Sequence, residues 1–267
     1  MKVSQAMYRV VLMVATVALF GGCATSTGRS TEKISAPVRA SEMDDRIESS
    51  ARKSYVFRTY LQGDDIKISS KNGVVTLTGV VSYESRKALA QETVAGLPEV
   101  KSVDNRLGIK GGSPTANSDA WLTEKVRTAL LFRRNVSGST TEVHVKDGIV
   151  TLRGEASSQA QKELTTEYVK DVEGVKDVKN EMAMSTTSKT TSEYVMESID
   201  DASITALVKM TLLYHRSTSA IRTKVETKEG VVTLNGKAKN ATEKELVTKL
   251  VNDINGVRSI NNQMTIE

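Results

Sequence analysis

The sequence predicts an α+β protein made of three tandem α-β-β-α-β units, each with two helices on one face of a small three-stranded mixed sheet. Two observations lead to this prediction: a glycine-bounded motif occurs three times, and a second motif follows it at a constant distance. In addition, the apolar residues within each copy change from helical spacing to strand alternation and back. A chain of 267 residues has room for two or three such small domains.

Two motifs define the repeat. The first reads GVVTLTG, GIVTLRG or GVVTLNG and lies at 73–79, 148–154 and 230–236. The second reads VKSVDN, VKDVKN or VRSINN and begins 27 residues after the first glycine in every copy (100 − 73, 175 − 148, 257 − 230). Constant spacing between two separate motifs indicates one structural unit present three times, with the variation in length confined to the linkers.

Each unit is predicted to begin with an amphipathic helix, whose apolar residues recur at helical spacing in the second and third copies and less regularly in the first. These residues are Leu122, Val126, Ala129, Leu130 and Phe132 in the second copy, Ile204, Leu207, Val208 and Leu212 in the third, and Ile47, Ala51, Tyr55 and Tyr60 in the first. A second helix follows the strands, and Asn240 with Glu243 has the pattern of a capping box at its start. Gly174 and Gly256 are suited to end this helix, after which the last strand begins.

A β-hairpin lies between the two helices. Apolar residues alternate with polar ones on either side of the turn pairs Asn72-Gly73, Asp147-Gly148 and Glu229-Gly230. Asn-Gly and Asp-Gly tolerate the positive φ angles of a type I′ turn, and Glu-Gly does so less well, so a tight two-residue hairpin is expected in each unit. The second glycine of each motif, at 79, 154 and 236, is expected to allow close approach of a neighbouring strand or helix.

The N-terminus has the pattern of a secretory signal. Lys2 and Arg9 precede an apolar run of 11 residues, Val10 to Phe20, which is well short of the ~20 residues that span a bilayer. Gly21-Gly22 and the only cysteine, Cys23, follow, and together they resemble a bacterial lipobox. That resemblance implies a signal peptide over 1–22, lipidation of Cys23 and a tether over 23–41. An Asp after the cysteine would resemble the inner-membrane retention signal of such lipoproteins; Ala24 stands there instead, so the resemblance implies outer-membrane delivery. The alternative is plain secretion with a free thiol.

The two repeated motifs together resemble the BON domain of bacterial envelope and osmotic-stress proteins. On this resemblance the repeats lie at 42–110, 119–184 and 198–267, separated by linkers at 111–118 and 185–197. The first linker is short, so the first two units are expected to dock on each other. The resemblance implies a periplasmic, non-enzymatic protein with two further properties, affinity for anionic phospholipid and a role in envelope integrity or osmotic-stress tolerance.

The residue types present do not point to catalysis or to a cofactor. One cysteine excludes a disulfide framework, and the two histidines leave little for zinc chemistry. His144 is interpreted as an exposed strand residue, and His215 as a cation at a helix C-terminus. The carboxylate pairs at 44–45, 64–65 and 200–201 are interpreted as caps or solvated turns. The net charge is +5, or +3 without the signal segment, which is too small to predict nucleic acid as a partner.

The candidate binding site is the first helix of the second unit, which carries the only tryptophan. By similarity to the phospholipid-binding helix of outer-membrane lipoproteins with two BON domains, lipid contact is expected at Trp121, Lys125, Arg127 and Thr128. Arg133 and Arg134, the basic residues at the end of the same helix, complete the expected lipid-contacting set. An indole suits a membrane interface, and basic neighbours attract anionic headgroups. The alternative places Trp121 at the junction of the first two units. The competing functional hypothesis is a protein-interaction or chaperone-like module that binds outer-membrane or periplasmic proteins during assembly.

Overall fold

The computed structural model describes residues 36–185, 199–218 and 223–267. The predicted signal peptide and Cys23 lie outside the described residues, as do residues 186–197 of the second linker and residue 198. The first helix begins at Ala36, so the end of the predicted tether is helical. None of the helices in these ranges is both long enough and apolar enough to cross a bilayer.

Each repeat contains the five predicted elements in order, followed by an additional short strand; repeat 1 also has an extra short helix, and repeat 2 an extra two-residue strand. Repeat 1 contains α1 Ala36–Lys53, α2 Tyr55–Thr59, β1 Asp65–Lys71, β2 Val74–Val81, α3 Glu84–Ala95, β3 Ser102–Asn105 and β4 Gly108–Ile109. Repeat 2 contains α4 Asp119–Leu131, β5 Glu142–Lys146, β6 Ile149–Arg153, β7 Glu155–Ala156, α5 Gln159–Lys170, β8 Asp177–Asn180 and β9 Ala183–Met184. Repeat 3 contains α6 Asp201–Tyr214, β10 Thr223–Lys228, β11 Val231–Ala238, α7 Ala241–Asn252, β12 Ser259–Asn262 and β13 Thr265–Ile266.

The main sheets of the three repeats share one topology, although those of repeats 1 and 3 have four strands where three were predicted. The hairpin strands pair antiparallel, and the strand after the second helix lies parallel to the middle strand, giving the orders β1-β2-β3, β5-β6-β8 and β10-β11-β12. The short strands β4, β9 and β13 pair with the end of the second hairpin strand in each unit; in repeat 2 that end is the separate strand β7. The predicted fold class is confirmed.

The hairpin turns have the predicted backbone. Both turn residues adopt positive φ in every repeat: 55° and 80° at Asn72-Gly73, 54° and 81° at Asp147-Gly148, and 52° and 76° at Glu229-Gly230. These angles are typical of the type I′ turn, which matches the right-handed twist of the strands. At Gly79, with a φ of 116°, a side chain would collide with the carbonyl oxygen of Asp65 on the neighbouring strand, so this glycine serves close strand approach as expected.

An aspartate from the first helix holds each turn. The carboxylates of Asp44, Asp119 and Asp201 accept hydrogen bonds from both turn amides of their own repeat, at 2.7–2.9, 2.7–3.0 and 2.7–2.8 Å. The separation in sequence is 28 and 29 residues in every repeat. Carboxylates at 44 and 201 therefore have the structural role expected for them. Asp200 likewise caps α6 by accepting from the amide of Ser203.

The asparagine that ends the second motif ties the last strand to the second helix. Asn105, Asn180 and Asn262 each donate from Nδ2 to a helix carbonyl, on Lys87, Lys162 and Lys244, at 2.9–3.0 Å. Each also accepts, through Oδ1, from the amide two residues later. The side chain thus replaces ladder bonds where the strand is interrupted, which gives this motif residue a structural function.

The first helix of repeat 1 breaks at Ser54, unlike its counterparts. The Ser54 hydroxyl donates to the Ala51 carbonyl at 2.8 Å and caps the new helix α2. The Tyr55 amide freed by the break donates to Asp200 of repeat 3 at 2.7 Å, and the Val56 amide donates to Ser203 at 3.1 Å. The break therefore lets the N-termini of α2 and α6 share one carboxylate and one hydroxyl, which accounts for the irregular apolar spacing of this segment.

The apolar cores join the repeats unequally. Repeats 1 and 3 share one core, which also takes in Phe132 of repeat 2, whereas the rest of repeat 2 has a core of its own. Helix α3 packs on α6, and Gly96 lies close to Ala202. Repeats 1 and 2 do contact each other, because Glu124 accepts from the Ser85 amide at 2.7 Å and caps α3. The short linker predicts that contact, but the shared core of repeats 1 and 3 was not expected.

Candidate functional site

The six residues predicted to contact lipid lie in three different environments. Lys125, Thr128 and Arg133 are buried, with 4%, 9% and 6% of their surface exposed. Trp121 is half-buried, whereas Arg127 and Arg134 are exposed. The prediction of one lipid-facing surface therefore does not hold for Lys125, Thr128 and Arg133. Helices α3 and α6 of the neighbouring repeats pack against α4, and a helical pattern in sequence does not reveal such packing.

Lys125 lies between aromatic rings of two repeats. Its Nζ is 4.2 Å from the ring centroid of Trp121 and 5.5 Å from that of Tyr214 in repeat 3. Nζ also donates to the carbonyl and the carboxylate of Glu173, both at 3.3 Å. Burial lowers the pKa of Lys125, and the carboxylate of Glu173 opposes that shift. The ammonium group is therefore engaged in joining repeats 2 and 3.

Trp121 packs within its own repeat. The indole contacts the core of repeat 2 and lies beside Gly174, in the loop after α5. Through Lys125 it reaches Tyr214 of repeat 3. The contacts given for Trp121 lie in repeats 2 and 3, so they favour the junction of these two repeats over the predicted alternative, the junction of repeats 1 and 2.

The junction of repeats 2 and 3 is reciprocal. The Arg134 amide donates to the Asp253 carbonyl and the Asn255 amide donates to Phe132, while the Arg216 amide donates to Asp171 and the Glu173 amide donates to Tyr214. Equivalent positions in repeats 2 and 3 are 82 residues apart. Replacing each residue of the first pair of bonds by its equivalent in the other repeat gives the second pair of bonds. The end of each first helix thus docks on the loop after the second helix of the other repeat. This is the contact pattern of a two-fold interface, formed within one chain.

The two halves of this junction differ at its centre. The Arg133 guanidinium lies 4.3 Å from the Tyr168 ring centroid, and its Nη1 donates to the Leu250 carbonyl at 2.7 Å. The equivalent position in repeat 3 is His215, which is buried. Burial lowers the pKa of His215, and Arg133 and Arg216 contribute in the same direction, against Asp171. The imidazole is therefore neutral at pH 7, so the interpretation of His215 as a cation is wrong.

A cavity with basic walls opens beside this junction. It has a volume of about 210 Å³, counted as the space open to the centre of a water molecule, and it is lined by Lys170, Val175, Lys176, Asp177 and Arg216. Three of these side chains are cationic and one is acidic, and all four are exposed. No pattern in the sequence indicates this site, since Lys170 and Lys176 lie in different parts of repeat 2 and Arg216 lies in repeat 3.

No metal centre is evident in the described ranges, where no group of three or more His, Cys, Asp or Glu side chains is placed to hold an ion. His144 is exposed on β5, as interpreted from its strand position. The described residues thus form polar contacts between each pair of repeats and one basic cavity beside the junction of repeats 2 and 3.

The fold and the repeated contacts define a tandem BON-domain protein. The sequence model of the BON domain matches residues 43–111, 118–186 and 200–267, and the chain belongs to this family.

The chain is 29% identical over 143 residues to the osmotically-inducible protein Y of Escherichia coli, which covers 52% of this chain and 71% of that protein. It is 30% identical over 115 residues to a 21 kDa hemolysin of Actinobacillus pleuropneumoniae, covering 42% of this chain and 59% of that protein. Among solved structures, CdsD, a structural protein of the type III secretion system of Chlamydia trachomatis, is 17% identical with a TM-score of 0.23, over 83% of this chain and 90% of that one.

Proposed function

We propose that this protein is a non-enzymatic envelope protein, lipid-anchored through Cys23 at the periplasmic face of the outer membrane, whose repeats dock on anionic phospholipid and support envelope integrity or osmotic-stress tolerance. The relation to a protein named for osmotic induction supports the physiological part of this proposal. The observation that carries the lipid part is the basic cavity beside the junction of repeats 2 and 3.

The basic cavity is better suited to the phosphodiester of a phospholipid headgroup than the surface of α4 that was predicted from the sequence. Lys170, Lys176 and Arg216 give its lining a net positive charge even with Asp177 present. Each basic residue near an anionic bilayer contributes ~1 kcal/mol of attraction. The loop that supplies Val175 and Lys176 also includes Gly174, which lies beside the half-buried Trp121. The revised lipid-contacting set is therefore Lys170, Lys176 and Arg216, with Trp121 nearby.

Vesicle flotation tests this proposal on the compact unit Ser35–Glu267. We expect binding to phosphatidylglycerol vesicles and little to phosphatidylcholine, with affinity that falls as salt rises. Replacing both Lys170 and Lys176 by Gln is expected to weaken binding about tenfold or more, because two local charges are lost. The matched control replaces Lys67 and Lys71, two exposed lysines on β1, by Gln and removes the same net charge.

Two results would count against lipid docking at this site. One is the absence of binding to anionic vesicles by the unaltered protein. The other is an equal loss of binding in the control pair, which would show that net charge alone is responsible.

The protein-interaction hypothesis keeps one supporting observation. Val74 and Val80, on the outer face of β2, are 42% and 45% exposed, and Val231 at the equivalent place in repeat 3 is 38% exposed. Crosslinking in intact cells tests it: a partner recovered by the unaltered protein and lost in Val80→Lys, with vesicle binding unchanged, would favour this second function.

A further inference from the structure

Three buried polar atoms point to one small cavity at the centre of the junction between repeats 2 and 3. Among the described residues, the buried side-chain nitrogen and oxygen atoms that have no hydrogen-bond partner are Arg133 Nε, Thr211 Oγ1 and His215 Nε2. All three residues line the same cavity, together with Asp171 and Tyr168. Since buried polar groups are nearly always hydrogen-bonded, three such atoms at one place indicate a shared partner.

The hydrogen-bonding capacity around the cavity can be assigned. The Ser217 amide donates to His215 Nδ1 at 3.1 Å, so the neutral imidazole carries its proton on Nε2. Nε2 is 3.6 Å from Asp171 Oδ2, too far for a direct hydrogen bond. The guanidinium Nε of Arg133 can only donate. The cavity therefore offers two N–H donors, one hydroxyl and one carboxylate acceptor.

The size of the cavity restricts the ligand. Its volume is about 10 Å³, again counted as space open to the centre of a water molecule. That is the space one water needs, and a buried water typically makes two to four hydrogen bonds. A halide would accept from the three donors but would lie beside the Asp171 carboxylate, with which it has no favourable interaction.

We propose that this cavity is the binding site of a single buried water that bridges repeats 2 and 3. The water accepts from Arg133 Nε and His215 Nε2 and donates to Thr211 Oγ1 and the carboxylate of Asp171. It satisfies the three unpartnered atoms at once and joins side chains of both repeats across the junction.

The site is asymmetric, and this gives a sharp test. Position 211 is a threonine in repeat 3, and its equivalent in repeat 2, 82 residues earlier, is Ala129. Both residues line the cavity. Thr211 therefore supplies a hydroxyl to the cavity, whereas the equivalent Ala129 of repeat 2 has none. Thr211→Val removes this hydroxyl with little change of volume.

Thermal unfolding of the full chain distinguishes a water-filled cavity from a dry one, because Thr211→Val is expected to lower Tm only in the first case. If a water is bound, Thr211→Val removes one of its partners and is expected to lower Tm by about 2–4 °C. Thr211→Ser keeps the hydroxyl and is expected to lower Tm less. If the cavity is dry, Thr211→Val removes an unsatisfied hydroxyl and leaves Tm unchanged or raises it, and that result would overturn the proposal.

A crystal structure at a resolution that shows ordered water provides the direct measurement, with a bromide soak as its second arm. The expected result is a solvent peak within hydrogen-bond distance of Arg133 Nε, Thr211 Oγ1 and His215 Nε2, without anomalous signal. An empty cavity or a bromide peak at this position would reject a water site. Neither experiment depends on lipid binding, so the outcome is independent of the proposed function.

Discussion

Arg134 of repeat 2 and Arg216 of repeat 3 make the same pair of contacts in opposite directions across one junction. Arg134 Nη2 donates to the carbonyls of Ile254 and Val257, both at 2.7 Å, and Arg216 Nη2 donates to those of Val172 and Val175, at 3.3 and 3.2 Å. Each guanidinium holds the loop that leads from the second helix to the last strand of the other repeat. The two arginines thus fix the relative orientation of repeats 2 and 3.

Arg134→Ala and Arg216→Ala are expected to destabilise this junction. Each substitution removes charge-assisted hydrogen bonds to two carbonyls, at a cost of about 1.5–3 kcal/mol of unfolding free energy. Because the bonds of Arg134 are shorter, its replacement should have the larger effect. Urea unfolding of the two single variants and the double variant measures these costs.

Arg153→Ala is the control for the arginine variants. Arg153 pairs only at the surface with Glu181, where such pairs contribute little, so a change below about 0.5 kcal/mol is expected. If the junction variants resemble Arg153→Ala, the reciprocal contacts do not hold the repeats together.

Asp44→Asn is expected to weaken the hairpin of repeat 1. The carboxylate accepts from Ser70 Oγ and from the amides of Gly73 and Asn72, which holds the pKa of Asp44 below its usual range. Because the pKa of Asp44 is lower in the folded state, its carboxylate stabilises the fold fully above pH ~3.9. This stabilisation is lost as the pH falls through the lower pKa of the folded state.

The neighbouring Asp45 gives a matched control for Asp44, since it is exposed on the same helix. Acid titration of unfolding free energy for Asp44→Asn and Asp45→Asn measures the difference. Only Asp44→Asn should flatten the low-pH limb of the curve, and identical curves for the two variants would be inconsistent with a turn-holding role.

Glu229→Asn is expected to stabilise repeat 3. Glu229 has a φ of 52°, a conformation that costs an ordinary residue about 1 kcal/mol and asparagine less. The Glu229 amide donates to Asp201, and a substitution retains that bond because it involves only the backbone. Thermal unfolding measures the gain. The converse variant, Asn72→Glu in repeat 1, should lower the stability of the fold by a similar amount. A stabilising effect of Asn72→Glu would refute the argument.

Local features of this fold were predictable because they depend on neighbouring residues. The turn pairs at 72–73, 147–148 and 229–230 require positive φ, and Asn240 caps α7 as its position suggested. The alternation of Val150 and Leu152 with polar neighbours placed both in the core, where they are fully buried.

The arrangement of the repeats was not predictable in the same way. Lys125 and Arg133 read as surface cations because their burial depends on Tyr214, Leu250 and other residues of repeat 3, far away in sequence. Similar motifs in each repeat do not reveal which pairs of repeats are in contact. One signal was present: a basic residue follows the first helix at positions 134 and 216, 82 residues apart, whereas Thr59 stands at the corresponding place in repeat 1.

His215 is expected to make folding sensitive to mild acid. Since burial lowers its pKa, the unfolded state binds a proton more readily than the folded state. Stability is therefore complete above pH ~6.5 and falls below it, by at most about 1.4 kcal/mol per pH unit, until the folded pKa is reached. His215→Gln should remove this slope. The other histidine, His144, is exposed, so His144→Gln should keep the slope, and a slope that persists in both variants would have another origin.

Leu77, Leu152 and Leu234 occupy one position in the three repeats, and each is fully buried. Repeat 2 has its own core, whereas repeats 1 and 3 share one. The same substitution should therefore destabilise repeat 2 alone when it is made there, but repeats 1 and 3 together when it is made in repeat 3. Leu152→Asp is expected to remove amide protection in repeat 2 while β1 and β2 of repeat 1 stay protected. Leu234→Asp should expose repeat 1 together with repeat 3, as a buried charge without a partner destabilises the whole core around it. Hydrogen exchange with mass spectrometry resolves the repeats. Equal loss of protection in all three repeats for both variants would show that the chain unfolds as one unit, despite its two separate cores.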